Sequence, residues 1–301
     1  MDVTYKKFYR GFYANTGYIP TSPLQLKVYP GDFFQIHNGQ MLVLGNIYND
    51  RIVDIVDDCI KKDIAHSSLN WSFNDGVTKP YSARGTGTDI VEGEFEFSKQ
   101  TLKFNSNGSY LFKGNNPKSI KIANWDAIQD ALIIKLTQVL YSFREVYVVT
   151  ETATTSECAI AIASSKKGKL QIATDSENFG LVDFFGHPSS KTIKSKNIEF
   201  YNQETKRKPM FFKAQRLTVR EEQSEAFISD FISKRDNDSL WANSFFDYEL
   251  RNDDTVTMPR LSNHNKLNLL DLLQANQLNP NTALSYFKWT NADLNDIEKF
   301  F

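Results

Sequence analysis

Residues 145–173, EVYVVTETATTSECAIAIASSKKGKLQIA, constrain the fold more than any other stretch of the chain. Val146 to Thr150 are β-branched or aromatic, and such residues suit a pleated, half-buried surface. From Cys158 onward, alternation puts Cys158, Ile160 and Ile162 on one face of a strand and Ala159, Ala161 and Ala163 on the other. Both faces are therefore apolar or small. A strand of this kind is either buried on both sides or destined for a second environment such as lipid. Ser164 to Gly168 read as a polar turn in which Gly168 can take positive φ. Lys169 to Ala173 then read as the returning arm of a long hairpin with a cationic tip.

The 301 residues suffice for a sizeable core in one or two domains, and 41% hydrophobic with 24% charged residues is an ordinary globular balance. No apolar run approaches the length of a membrane-spanning helix, and MDVTYKKFYR lacks the apolar region of a signal peptide. Cys59 and Cys158 make no disulfide framework and read as free thiols in a reducing compartment. Charge is segregated. Arg220 to Phe301 hold 8 Lys+Arg against 14 Asp+Glu, a net of −6, which leaves 27 and 22 before them, a net of +5. A basic part joined to an acidic one suggests mutual masking, or a basic surface meant for an anionic partner.

Thr4 to Ala14 form an amphipathic helix with Tyr5, Phe8, Tyr9, Phe12 and Tyr13 on one side and Lys6, Lys7 and Arg10 on the other. Such a helix can lie on an anionic membrane; in the resting protein it packs on the sheet. Asp32–Ile36 and Gln40–Leu44 flank Asn38–Gly39, a strong hairpin signal. Ile52, Ile55, Val56, Cys59 and Ile60 suggest a helix over 50–64. Ser68 to Ser119 are β-rich, with turns at Asn74–Gly76 and Asn107–Gly108, and Arg84–Thr88 read as a flexible loop. Asn124 can cap a helix from Trp125 to Phe143. Ile193–Tyr201 and Met210–Val219 make a last hairpin with Lys206, Arg207 and Lys208 at its bend. Beyond Arg220 come a helix over 222–235, a helix over 240–250, a polar stretch over 251–265 and a leucine-dense helix over 266–277. That tail must dock, and the sheet is the natural dock. The pattern is α+β: a twisted, mostly antiparallel sheet with surrounding helices and a helical C-terminal segment.

No catalytic constellation is evident. His37, His66, His187 and His264 have no metal-ligand spacing, and no nucleophile, phosphate-loop or zinc motif is present. Cys158 and Cys59 read as core residues. No enzyme activity, cofactor or metal is expected.

Several short segments, in this order along the chain, resemble the gasdermin pore-forming family. They are GYIP, PLQL, GDFFQI and LVLGNI between Gly17 and Ile47, VYVVTE at Val146–Glu151, and FFKAQRL at Phe211–Leu217. The resemblance covers about the first 220 residues and implies a mechanism. Residues 1–235 would be the pore-forming domain, 236–265 a linker cut by a protease, and 266–301 an autoinhibitory segment containing Leu267, Leu270 and Leu273. Arg251 and Arg260 would be cleavage candidates. Removal of the tail would let hairpins within Leu69–Ile122 and Val146–Val219 enter the membrane. Many copies would then assemble into a pore that causes cell death, as in antiphage defence. Lys6, Lys7, Arg10, Lys166, Lys167, Lys169, Lys206, Arg207 and Lys208 would meet anionic lipid. The implied partners are membrane lipids, an activating protease and further copies of the chain, with no nucleic acid. The location would be cytoplasmic when inactive and the inner or plasma membrane after activation. The chain departs from bacterial members in having no N-terminal Cys for acylation. Its tail is longer than the bacterial inhibitory peptide and shorter than the vertebrate inhibitory domain. The competing reading is an α+β binding module whose tail is ordinary core.

Overall fold

The computed structural model describes residues 3–89, 93–139, 145–174, 185–188, 190–226, 229 and 280–301. An eight-stranded body sheet is built around β10 (Val146–Thr154). β10 pairs antiparallel with β15 (Phe211–Val219) from Val146↔Leu217 to Ala153↔Phe211. Its other edge changes partner. Tyr147 and Val148 face β2 (Asp32–His37), whereas Glu151 to Thr154 face β9 (Lys118–Ile122), and a bulge at Thr150 marks the change. The β2 hairpin with β3 (Gln40–Asn46) turns at Asn38 and Gly39, both at positive φ, as their sequence demands. β4 (Ile60–Ala65) pairs β9, and β1 (Ile19–Pro20) pairs β15.

Helices cover both faces of β10. Val146 and Val148 pack under Leu132 and Leu136 of α2 (Trp125–Val139). Tyr147 and Val149 share a core with Phe8, Tyr9 and Phe12 of α1 (Lys6–Thr16). A Cβ on Gly11 would lie 1.9 Å from the Tyr110 hydroxyl, so only glycine lets α1 sit this close.

Eight further strands form two four-stranded sheets with one strand order. The inner sheet runs β14-β11-β8-β5 (Ile198–Glu204, Glu157–Ala163, Tyr110–Asn115, Asn70–Asp75). The outer sheet runs β13-β12-β7-β6 (Lys191–Lys196, Gly168–Thr174, Gly93–Phe104, Val77–Asp89). Each inner strand is consecutive in the chain with the outer strand at the same place in the order. Four chain segments thus bend together across one line. Each bend holds a residue at positive φ: Gly76, Gly108, Lys167 and Asn197. Backbone bonds join the bends: Asn105 to Gly76 (2.9 Å), Gly108 to Ala163 (2.9 Å) and Ser164 to Asn197 (3.1 Å).

This geometry explains the two-faced apolar strand. On β11, Cys158, Ile160 and Ile162 join the α1 core with Phe112 and Trp71. Ala159, Ala161 and Ala163 meet Leu102, Phe104, Leu170 and Ile172 of the outer sheet. The strand is buried on both sides.

The structure corrects several sequence expectations. β11 and β12 do not pair with each other: Ser164–Lys167 cross between sheets instead of reversing a hairpin. β14 and β15 likewise pair with β11 and β10, so residues 205–210 are a crossing too. Asn74–Gly76 and Asn107–Gly108 are bends rather than reversals. Residues 84–88 lie in β6, not in a loop. The helix expected over 50–64 is a turn followed by β4, because Arg51, Asp58 and Asp63 take left-handed φ values that no α-helix accommodates. The expected helices over 240–250 and 266–277, the linker and most of 222–235 lie outside the described residues.

Candidate functional site

The last 22 residues dock on the body in three ways. First, α3 (Pro280–Tyr286) packs on α2 through buried Ala283 and delivers β16 (Phe287–Asn291) to the open edge of β15. The pairing runs from Gln215↔Asn291 to Val219↔Phe287, beyond the part of the edge that β1 occupies. The tail is therefore part strand, where the sequence suggested helix alone. Trp289 fixes the register. Its indole donates to the Gln129 carbonyl of α2 (2.9 Å) and its ring meets Trp125 edge-on at 5.3 Å.

Second, Asp293 caps α4 (Leu294–Glu298) in a reciprocal box with Asp296. Asp296 also enters a polar knot and is only 1% exposed. It accepts from Tyr147 (2.8 Å), Arg216 (2.7 Å) and Lys299 (3.1 Å). Glu145 accepts from Tyr147 (2.9 Å), pairs with Lys299 and lies 3.5 Å from Arg216. Burial works against the Asp296 charge. The Asp293 amide, Tyr147, Lys299 and Arg216 outweigh it and hold this carboxyl below its ordinary value. Burial beside the two carboxylates raises the Tyr147 phenol, so Tyr147 stays protonated; its hydroxyl donates to the carboxylates and accepts from Lys299 (3.1 Å).

Third, Ile297 and Phe300 join the α1 core, with Phe300 and Phe301 at 6.0 and 5.5 Å from the Tyr9 ring, and Glu298 pairs with Arg10.

The candidate lipid-binding cations fall in three places. Arg10 is engaged by the tail, and Lys7 bonds Ser106 (3.2 Å) and pairs with Asp75 (3.6 Å) near the bend line. Lys6 is half-buried on the same helix. Lys166, Lys167 and Lys169 are exposed at that bend line. Lys206, Arg207 and Lys208 sit at the other end of β11, roughly 20 Å away by strand length. There Arg207 donates to the carbonyls of Asn116 (3.0 Å) and Thr154 (3.4 Å), and Lys208 pairs with Glu204. The first two groups share a corner and the third does not. Arg251, Arg260, Leu267, Leu270 and Leu273 lie outside the described residues.

A second polar cluster ties the middle of β10 and β15 to the end of β4. Tyr18 donates to Glu151 (2.5 Å), Lys213 bonds the same carboxylate (3.3 Å), and His66 lies 3.4 Å from the Tyr18 hydroxyl. Burial opposes the Glu151 charge, but Tyr18 and Lys213 prevail and hold it low. Cys158 is fully enclosed, and burial pushes its thiol up to about 12, so it is a core residue and no nucleophile at neutral pH.

Sequence reasoning missed Glu145, Tyr147, Arg216, Asp296 and Lys299 as one site. The D-x-x-D capping pair at Asp293 and Asp296 was the available local signal; the partners are long-range and carry none.

No protein-family model matches the chain, and no curated protein does. Among solved structures the chain is similar to the Gasdermin A3 membrane pore, at 11% identity over 72% of this chain and 90% of that one, with a TM-score of 0.29. It is similar to a bacterial gasdermin from Bradyrhizobium tropiciagri at 11% identity over 70% of this chain and 86% of that one, with a TM-score of 0.30. At TM-scores this low, the functional reading stands on the geometry of this chain. Both structures are gasdermins, the family that the short sequence motifs resemble.

Proposed function

We propose that the chain is an autoinhibited pore-forming protein. A protease cuts within 236–265, the C-terminal part leaves, and the freed N-terminal part enters an anionic membrane, assembles with further copies and kills the cell, as in antiphage defence. The observation that carries this reading is the docked tail. One short terminal segment occupies a sheet edge, engages a cation of the amphipathic helix and buries a carboxylate in a body-sheet cation site. Removing it exposes an unpaired strand edge and frees Arg10. Two hairpin-forming segments bent across one line support the same reading, because a closed barrel could satisfy their strand bonds in lipid. Cleavage alone leaves the tail held by β16 and the knot, so activation includes its dissociation.

Burial of Ile297 and Phe300 in the main core also fits a binding module whose tail is structural. Dye release from phosphatidylglycerol-containing and neutral vesicles separates the two. The full-length chain is compared with chains ending at Arg235, Leu250 and Arg260. Release by a shortened chain and not by the full chain is the expected result. Folded, soluble shortened chains that leave every vesicle intact would transfer the case to the binding module.

A further inference from the structure

The four bent segments also cross from the body sheet to the inner sheet, at 66–69, 116–117, 155–156 and 205–210. Backbone bonds lace neighbouring crossings: the Asn116 amide donates to Leu69 (2.8 Å) and the Ser156 amide to Asn115 (2.9 Å). Arg207 joins the last crossing to the second and third through the carbonyls of Asn116 and Thr154. Backbone amides and a guanidinium do not titrate near neutrality. The first crossing is fastened differently. It begins at His66, which stands half-buried in an aromatic corner, its ring edge-on to Tyr18 at 5.5 Å and to Trp71 at 5.2 Å. Imidazole is the side chain whose ordinary charge change falls between about pH 5 and pH 8.

We infer that His66 is an acid-sensitive latch: on protonation it leaves this corner and loosens β4 and the first crossing, while β5 and the other three crossings hold. The groups around the ring set the direction. Nε2 lies 3.4 Å from the Tyr18 hydroxyl, whose proton goes to one oxygen of Glu151 on β10, while Lys213 on β15 donates to the other. With the Tyr18 proton committed, the matching tautomer of neutral His66 carries its proton on Nε2 and donates to the Tyr18 oxygen. Both Glu151 oxygens are thus occupied, and the Lys213 ammonium already balances their charge. The Lys213 ammonium also stands 4.5 Å from the Tyr18 ring centroid. Asp63 on β4 and Lys118 on β9 pair with each other (3.2 Å). A second cation in the corner lacks both a partner and full hydration. Burial, the largest effect, and Lys213 therefore outweigh Glu151 and hold the imidazole below its ordinary value. A group depressed in this way contributes stability above its unfolded value, and the contribution is lost as pH falls through the folded one. The response belongs to mild acid, where the Asp296 knot is still closed. The latch is a property of the resting chain and does not depend on the pore reading.

The test is amide exchange of the full, uncut chain at about pH 7.5 and about pH 5.5, on either side of the ordinary histidine value, with rates corrected for intrinsic exchange. Residues 60–69 should lose protection severalfold at the lower pH, while β10, β11 and β15 keep theirs. His66→Gln, which stays neutral, should abolish the response. His66→Lys, which stays charged, should show the loosened β4 already at the higher pH. His37→Gln, at the exposed turn of the β2 hairpin, should respond like the native chain. Proton NMR of the His66 ring in the native chain gives a reading that needs no variant, and the ring should titrate below the ordinary histidine value. A His66 ring that titrates at or above that value overturns the latch. So does a loss of protection spread evenly over all four crossings, or one that persists in His66→Gln.

Discussion

The inner and outer sheets are made of the same four chain segments in the same order, yet they are held very differently. The inner sheet is sandwiched. Ile160, Ile162 and Phe112 pack under α1, with the Phe12 and Phe112 rings 5.0 Å apart, and alanines line the reverse side. The outer sheet has one packed face, against those alanines, and one lysine-bearing face in water. Strand pairing is equally complete in both. What separates them is side-chain burial, which dominates the stability of any element. One half of each segment is fastened, and the other rests on a smooth bed.

The sharpest way to break this contrast is to delete matched core groups. Phe112→Ala should cost about 3–5 kcal/mol of global stability in urea unfolding. Leu170→Ala should lower global stability less. Its loss should appear as faster amide exchange in β7 and β12 while β8 and β11 keep their protection. Equal global losses would mean that the two sheets are one cooperative unit. Ala161→Leu overfills the bed between the sheets and should cost about 1–3 kcal/mol, with the exchange increase again confined to the outer sheet. An increase centred on α1 instead would place the strain on the wrong face.

Acid acts on neither sheet and so sharpens the comparison from outside. Asp296 is held below its ordinary value in the folded chain. Its contribution is therefore fully present above the unfolded aspartate value and is lost as pH falls through the folded one. The tail should stay docked through mildly acidic pH and loosen only below the ordinary aspartate range. Asp296→Asn should remove that acid dependence and raise protease access to 280–301 at neutral pH; a tail equally protected in the variant would show the knot to be incidental. The smallest effect belongs to Lys103, Lys169 and Lys196, which stand opposite one another on three adjacent outer strands. Relieving directly opposed like charges is worth about 0.2–1 kcal/mol per pair, so Lys169→Gln should raise the melting temperature slightly, and more at low salt than at high.

Local chemistry made some of this architecture readable. Asn38–Gly39 dictates its own turn, the aromatic spacing of α1 dictates its packed face, and the two-sided apolar run of β11 left double burial as one of two readings. The crossings were not readable. Ser164–Gly168 has good turn chemistry, and Lys167 does take positive φ. Whether such a turn reverses the chain or carries it to another sheet depends on partners far away: Phe104 opposite Gly168 and Tyr110 opposite Ile162. The same holds for the tail. FKWTN alternates like many short strands, but only the vacancy left by a two-residue β1 on β15 makes it one. The polar knot draws on Glu145, Arg216 and Asp296 from three elements, and no spacing rule joins them.

The bend line also sets a measure of length. Beyond it, β6 is 13 residues and β7 is 12. A tilted strand needs about 9–11 residues to traverse the hydrocarbon layer. In a membrane-inserted state β6 and β7 alone would thus be long enough, and the inner segments would remain above the surface with α1 and the body sheet. An environment-sensitive dye at Asn197→Cys should then report headgroup depth, and a deeply apolar signal there would rule this placement out. On the proposed pore reading the bend would be the waterline, and Lys166 and Lys167, standing on it, would meet the phosphates at the rim.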